Sequence, residues 1–345
     1  MQYATLGNTG LVVSRLSFGA MTFTGGNRDL ASVYKVGARL ADELIGQSLD
    51  AGVNFFDTAD AYAGGESETL LGAALKSRRD QVVIASKVGL RTGQPLTQSG
   101  LSRRHILWSI DQSLKRLGTD YLDLYIAHRE DPFTPLEESL DALDSLVRSG
   151  KVRYLGFSNW SAWKAAAAME LQKTHSLAPF THGQMHYSLL SRDVERDVVP
   201  MMRRYGLGMT VWSPLSSGFL TGKYTRETLS NPENRFSGFD LLPFDKEKGF
   251  ELVERLKTLA AKRGASVAQL AIAWLLARPS VTSIILGATK AHQLEDNLAA
   301  ADVQLTTAEI GELDAVTGLP ACYPNWFIDN FKDSVVAGLP GVRSR

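Results

Sequence analysis

Short apolar runs alternate along this chain with longer stretches in which apolar positions return every three or four residues, the periods of buried strands and one-sided helices. Runs at Leu16 to Ala20, Asn54 to Asp57, Val82 to Ser86, Leu122 to Ala127, Val152 to Phe157, Thr181 to Met185, Gly208 to Trp212 and Thr282 to Leu286 read as eight strands. The helices between them carry their own punctuation. Ser102 stands as an N-cap before Ile106, Ile110, Leu114 and Leu117, and Gly118 follows as a stop. Thr134, Pro135, Leu136 and Glu137 predict an N-cap, a first-turn proline and a capping-box glutamate. Leu136, Leu140, Leu143 and Val147 then form the buried stripe, and Gly150 ends it.

Strict alternation of strand and helix with mostly short connections predicts an α/β protein with a parallel sheet. Eight right-handed units close into a (β/α)8 TIM barrel. The rival, a doubly wound open sheet, lacks support because no G-x-G-x-x-G opens a helix after any strand. Residues 1–15, with Tyr3 to Leu6 and Leu11 to Val13 around Gly7-Asn8-Thr9-Gly10, predict an N-terminal β-hairpin. Two segments exceed the repeat: the connection 218–248 reads as a functional loop or lid, and the tail 319–345 as additional C-terminal helices. Tyr323, Trp326, Phe327 and Phe331 make that tail aromatic, either packing over the barrel exterior or walling a substrate pocket. Residues 1–345 are expected to form a single domain, since barrels of this kind tolerate large insertions.

Composition narrows the class of function. Lys+Arg 37 against Asp+Glu 37 leaves no net charge, and no basic run tracks a phosphate backbone, so no nucleic-acid partner is expected. The longest apolar run, Leu270 to Ala277, is far too short to span a membrane, and Met1 to Thr5 lack a signal-peptide pattern. Cys322 is the single cysteine, which excludes an internal disulfide and a multi-cysteine zinc site. His182 and His186 have a spacing that suits a metal on a helix, but on a strand they stand roughly 13 Å apart, so no metal is expected. A cytoplasmic enzyme follows.

Asp57, Lys87 and His128 each stand where an apolar strand stops, and Tyr62 lies on the loop above Asp57. In a parallel barrel these strand ends converge on one face. A phenol with a pKa of about 10 is a weak acid or base at neutral pH. A nearby ammonium favours the phenolate, a carboxylate holds that lysine charged, and a histidine can orient a carbonyl. Singly, such residues are more often caps or packing residues; together they suit proton delivery to an oxygen that becomes an alcohol.

Ala51 to Tyr62 (AGVNFFDTADAY), Gly65-Glu66-Ser67-Glu68 and Leu71-Gly72 resemble the signature of the aldo-keto reductases. Ser86-Lys87-Val88, Gly156-Phe157-Ser158-Asn159, Gly287-Ala288 and Gln293 to Asn297 extend the resemblance over roughly residues 1 to 318. Within the family the chain is most similar to the subgroup of potassium-channel β-subunits and their bacterial relatives. The resemblance implies an eight-stranded barrel that reduces a small-molecule carbonyl, or oxidises an alcohol, with NADPH/NADP+ rather than NAD. Tyr62 would be the general acid/base, Lys87 and Asp57 its tuning pair, and His128 the carbonyl-positioning group. Ser158, Asn159 and Gln184 match the positions that hold the nicotinamide carboxamide, and Trp212 that of the stacking ring. Ala63 departs from the glycine often found there, which bears on the path of the loop.

The stretch Trp212 to Lys223 is rich in small residues such as Ser213 and Gly218, whose amides can approach an anion, and Leu215 within it is a further cofactor-binding candidate. It is no P-loop: the glycine spacing is wrong and Tyr224 replaces the Ser/Thr that would hold magnesium. By resemblance it straps over a pyrophosphate, with Lys223 and Arg235 supplying positive charge. Gly287 to Lys290, with Gly287 a further cofactor-binding candidate, lead into a helix whose N-terminus can take phosphate; by resemblance Thr289 and Gln293 would contact the adenosine 2′-phosphate, with Lys290 added on charge, and Asp296 and Asn297 the adenine. Substrate walls would include Met21, Phe23, Arg129 and Trp160. Two alternatives remain in view: a redox-sensing nicotinamide-binding regulatory subunit with little turnover, and a Schiff-base aldolase using Lys87. The second is disfavoured because a paired Asp57 keeps that amine protonated.

Overall fold

The computed structural model describes residues 1–231, 234–235 and 240–339. Eight parallel strands close into a barrel: β3 (Leu16–Gly19), β4 (Phe55–Asp57), β5 (Val83–Val88), β6 (Leu122–Ala127), β7 (Val152–Ser158), β8 (Phe180–His186), β9 (Gly208–Trp212) and β10 (Val281–Leu286), with β10 returning to β3. Each coincides with an expected strand, displaced by one or two residues at some ends. The expected hairpin is β1 (Tyr3–Thr5) against β2 (Val12–Ser14). Its inward side chains, Leu6 and Val13, pack on Phe55, Val83, Leu124 and Ile126 inside the barrel. The hairpin thus stoppers the N-terminal end with apolar volume.

Helices α1 (Ala38–Asp50), α2 (Glu66–Leu75), α3 (Arg103–Leu117), α4 (Leu136–Arg148), α5 (Ala162–Thr174) and α6 (Val198–Tyr205) follow β3 to β8 in turn. Beyond β9 the helices Lys246–Arg263 and Val267–Leu276 precede β10, and Ala291–Leu298 follows it. Ser102 caps α3 by accepting from the His105 amide, and Ile106, Ile110, Leu114 and Leu117 are buried beneath it. Each such leucine or isoleucine contributes roughly 1.5–3 kcal/mol on burial. At α4 the expected cap differs. Pro135 is the N-cap and Thr134 gives its hydroxyl instead to Asp131 Oδ2 at 2.7 Å, so no capping box with Glu137 forms. Asp131 also accepts from the Leu101 and Phe133 amides, and this charged acceptor turns the Thr134 hydroxyl toward itself as a donor, whereas a cap needs the hydroxyl oxygen to accept from a helix amide.

The long connection after β9 opens as a 3₁₀ turn over Ser216–Thr221 and runs to Lys246. Of the loop read as 218–248, residues 232–233 and 236–239 lie outside the described residues, as do 340–345 of the tail. The tail forms two short helices, Asn325–Asn330 and Ser334–Ala337. Among the described residues no tail residue lines the central cleft, so the wall reading does not hold; Tyr323 is 76% exposed and Phe331 69%, while Trp326 at 41% and Phe327 at 48% are about half covered.

Close approach of α2 to α3 depends on Gly72, where a methyl group would overlap the Leu117 backbone. Backbone cannot step aside as a side chain can. Gly72→Ala is therefore expected to cost about 1–3 kcal/mol and to lower the melting temperature by several degrees in a thermal unfolding scan. An unchanged transition would show that the two helices are not held at this spacing.

Candidate active site

Strand register brings the chemistry to one end. Gly19 stands opposite Asp57, Asp57 opposite Ala85, Lys87 opposite Ile126, Ser158 opposite Gln184 and His186 opposite Trp212. With the other end stoppered, the C-terminal ends of the strands open on a cleft of about 710 Å³. Asp57, Tyr62 and His128 line it; Lys87 lies underneath, fully buried.

Lys87 Nζ makes the central contacts. It donates to Asp57 Oδ1 at 2.6 Å, to the Thr58 carbonyl at 2.7 Å and to the Tyr62 hydroxyl at 3.3 Å. Asp57 Oδ2 in turn accepts from Gln184 Nε2 at 2.8 Å. Burial works against the lysine charge, but Asp57 and Tyr62 outweigh it and hold Lys87 above its ordinary value. Burial also raises the Tyr62 phenol, more strongly than Lys87 lowers it. The net direction is opposite to that expected from the lysine alone, and it leaves Tyr62 holding its proton at neutral pH. Burial, reinforced by Lys87 and Arg129, keeps His128 well below its usual range, so the imidazole is neutral. Its ring meets that of Tyr62 edge-on at 5.7 Å. The Nδ1 atom of His128 is buried without a partner.

Tyr62 reaches this position through a left-handed turn. Ala63 has φ 49° and is followed by Gly64 and Gly65 at φ 65° and 95°, so the alanine adopts the path that a glycine takes more cheaply. Glu66 then accepts from Thr24 Oγ1 and from the Gly25 and Asn27 amides, fastening the β3–α1 connection beside the tyrosine.

Of the residues expected to bind a cofactor, Ser158, Asn159, Gln184, Trp212, Ser213, Leu215, Gly218, Lys223, Arg235, Gly287, Thr289, Gln293, Asp296 and Asn297 line the cleft, and Lys290, added on charge, does not. Asn159, at φ 57°, links several of its neighbours. It donates to the His128 carbonyl and to Ser158 Oγ, and accepts from Trp212 Nε1 at 3.0 Å. Trp212 is backed by His186, stacked at 4.5 Å. Farther along, the Thr289 amide and hydroxyl both donate to Gln293 Oε1. Asp296 accepts from Ser266 Oγ and Gln269 Nε2, which ties it to the start of the helix Val267–Leu276. Burial and then the charges of Arg235, Lys35 and Lys290 lower Lys223, so several cations converge on this wall.

Of the expected substrate walls, only Met21 lines the cleft. Phe23 is buried against Phe18, Trp160 packs between Phe157 and Phe180, and Arg129 bonds the Glu130 carbonyl. Apolar rings at loop starts went to core volume rather than to the opening. Sequence reading missed Val33 and Lys35, which line the cleft from the β3–α1 connection, and Leu90, Leu241 and Leu242. The signal available was the length of that connection, with no periodicity to place its side chains. His182 is fully buried, and burial with Lys87 holds it down at about 3. Among the described residues no group of histidine, cysteine and carboxylate side chains could hold a metal.

The aldo/keto reductase family model matches residues 15–317. The chain is 39% identical to a probable voltage-gated potassium channel subunit beta of Oryza sativa subsp. japonica, over 92% of this chain and 96% of that one. It is 38% identical to a putative voltage-gated potassium channel subunit beta of Schizosaccharomyces pombe, over 90% and 92% of the two chains. A probable aldo-keto reductase 1 of Glycine max is 35% identical, over 91% and 88%. This chain belongs to the aldo/keto reductase family, oxidoreductases of carbonyl compounds that typically bind a nicotinamide cofactor.

Removing the Asp57 charge leaves a buried ammonium without its counter-ion. Asp57→Asn is expected to lower unfolding stability by about 3–5 kcal/mol, measured by denaturant titration at neutral pH. A loss below about 1 kcal/mol would mean that the pair is solvated rather than buried.

Proposed function

We propose that this protein reduces an aldehyde or ketone to the alcohol with NADPH, Tyr62 giving the proton. The observation that carries the reading is the Tyr62 hydroxyl, open to the cleft and 3.3 Å from a Lys87 ammonium fixed by Asp57. The residues present fit a nicotinamide dinucleotide. Trp212 offers a flat face braced by His186, and Lys35, Lys223 and Arg235 bring positive charge to the same cleft. When bound, the reduced nicotinamide supplies the hydride.

The protein's own residues do the rest. Ser158, Asn159 and Gln184 lie beside Trp212 and orient the carboxamide edge, which fixes the face presented to substrate. Neutral His128 donates to the carbonyl oxygen without competing for a proton. As carbon gains hydride, the O–H bond of Tyr62 breaks toward the developing alkoxide, and the Lys87 charge stabilises the phenolate left behind. Solvent then restores the proton through the open cleft. In the alcohol-oxidising direction each step reverses. Lys223 and Arg235 serve the pyrophosphate, and Thr289, Gln293 and Lys290 the 2′-phosphate that favours NADP over NAD. Asp296 and Asn297 face the adenosine. Met21 contacts substrate.

A second reading draws on the channel subunit beta names of two relatives: a nicotinamide-binding regulatory subunit that senses redox state with little turnover. Tight NADPH binding with no consumption of NADPH across a broad panel of reactive carbonyls would select it.

Tyr62→Phe is expected to lower kcat for carbonyl reduction by about 10²–10⁴-fold, followed by the absorbance of reduced nicotinamide, while NADPH affinity stays within a few-fold. Full activity in that variant rejects the assigned proton donor. Lys223→Ala is expected to weaken NADPH binding by about 10–100-fold, the value of a charge-assisted contact, as read by fluorescence titration. Unchanged affinity would place the phosphates elsewhere.

A further inference from the structure

Behind the segment that carries Tyr62, two buried carboxylates face one cation. Asp60, 2% exposed, precedes Tyr62 by two positions, and its amide donates to the Lys87 carbonyl at 3.3 Å. Its Oδ2 accepts from Ser109 Oγ of α3 at 2.7 Å. Neither its Oδ1 nor the buried hydroxyl of Tyr125 on β6 makes a well-formed hydrogen bond, although the Ala61 amide bears on the Asp60 carboxyl and Ser109 on Tyr125. Glu68 of α2, fully buried, accepts from Ser86 Oγ at 2.5 Å and from Arg116 Nε of α3 at 2.6 Å. The charges that bear on Asp60 are Glu68 and Arg116, and these two together with Asp60 bear on Tyr125.

Arg116 is already committed to Glu68. An ionised Asp60 would add a second buried negative charge with no cation of its own and one oxygen without a well-formed hydrogen bond. A carboxyl in that setting takes up a proton in preference to bearing the charge. As a neutral acid it gains an O–H that can serve the unsatisfied side of the cluster.

We infer that Asp60 is a proton-holding positioning residue: in its neutral form it fastens the Thr58–Tyr62 segment to α3 and β6, and its ionisation loosens Tyr62 and slows proton transfer. It touches neither substrate nor cofactor. The inference rests on the role proposed for Tyr62 and adds a pH dependence to it. Burial is the main cause that pushes Asp60 up to about 7, with Glu68 adding and the Ser109 hydrogen bond, Arg116 and the Ala61 amide opposing. Tyr62 is raised from its ordinary value of 10.0, so its own titration lies far from that range.

The sign follows from proton counting. Above the ordinary carboxylate value of 3.8 the unfolded chain has released the Asp60 proton, while the folded chain keeps it up to about 7. Over that interval the folded state binds more protons, so Asp60 makes stability fall as pH rises, with no further change above about 7.

Asp60→Asn keeps the shape and removes the titration. Melting temperatures of both proteins, recorded without substrate between about pH 5 and about pH 9, should show the variant gaining on the wild type up to neutral pH and holding a constant lead beyond. In parallel, wild-type kcat for carbonyl reduction should fall severalfold through neutral pH, and the variant should lose that limb while retaining the acidic plateau. Glu68→Gln releases Arg116 to Asp60 and should move both wild-type inflections to lower pH. A pH-independent gap in melting temperature overturns the inference, as does an inflection that Glu68→Gln leaves in place. If Asp60→Asn does not fold, the Glu68→Gln shift alone decides. Failure of every carbonyl to turn over would defeat the reductase reading while the substrate-free melting curves still test Asp60.

Discussion

A lysine ammonium held out of water by a single carboxylate sets the terms for the rest of this molecule. Lys87 is fully buried, and its charge survives because Asp57 stands 2.6 Å away, with the Thr58 carbonyl and the Tyr62 hydroxyl accepting further N–H bonds. Burying such a pair costs several kcal/mol per ion, which is recovered only when the geometry is good and the remaining lone pairs are satisfied. Gln184 completes that requirement on Asp57. The ammonium is thereby aimed at the Tyr62 hydroxyl at 3.3 Å, before any substrate arrives.

The barrel exists, in functional terms, to keep those groups in register. Asp57, Lys87 and Gln184 come from β4, β5 and β8, and no local element could hold them together. Parallel strands hydrogen-bonded in a closed ring fix their relative height, and the hairpin fills the opposite mouth with Leu6 and Val13. A second polar layer lies outside the ring, between β5, β6, α2 and α3, where Glu68 and Arg116 pair and Asp60 stands beside them. The segment carrying Tyr62 is therefore gripped from both sides, by the Lys87 ammonium within and by Ser109 behind.

How much of this was legible in the chain depends on the range of the force involved. Strand positions followed from apolar runs, and the Ser102 cap from three neighbouring residues, because both are local. The loss of the expected Thr134 cap was not legible, since the residue that captures its hydroxyl, Asp131, is itself recruited by the amide of Leu101 thirty positions away. Phe23 and Trp160 followed the same logic. An aromatic ring beside a strand end can turn to the opening or to the core, and the volumes offered by Phe18, Phe157 and Phe180 decided for the core. Lys35 and Val33 reach the cleft because Glu66 and a backbone bridge between Phe23 and Val36 fold their loop inward, a contact that no periodicity encodes.

By itself the sequence determined the alternation of strands and helices, the family, and the residue types gathered at the strand ends, because hydrophobic period and motif are properties of neighbours along the chain. Tertiary structure alone decided the electrostatics. Lys87 pulls the Tyr62 phenol toward ionisation, as residue types suggest, yet burial pushes harder the other way and leaves the proton in place. The cost of desolvating a charge depends on everything packed around it, and that sum is set only when the barrel has closed.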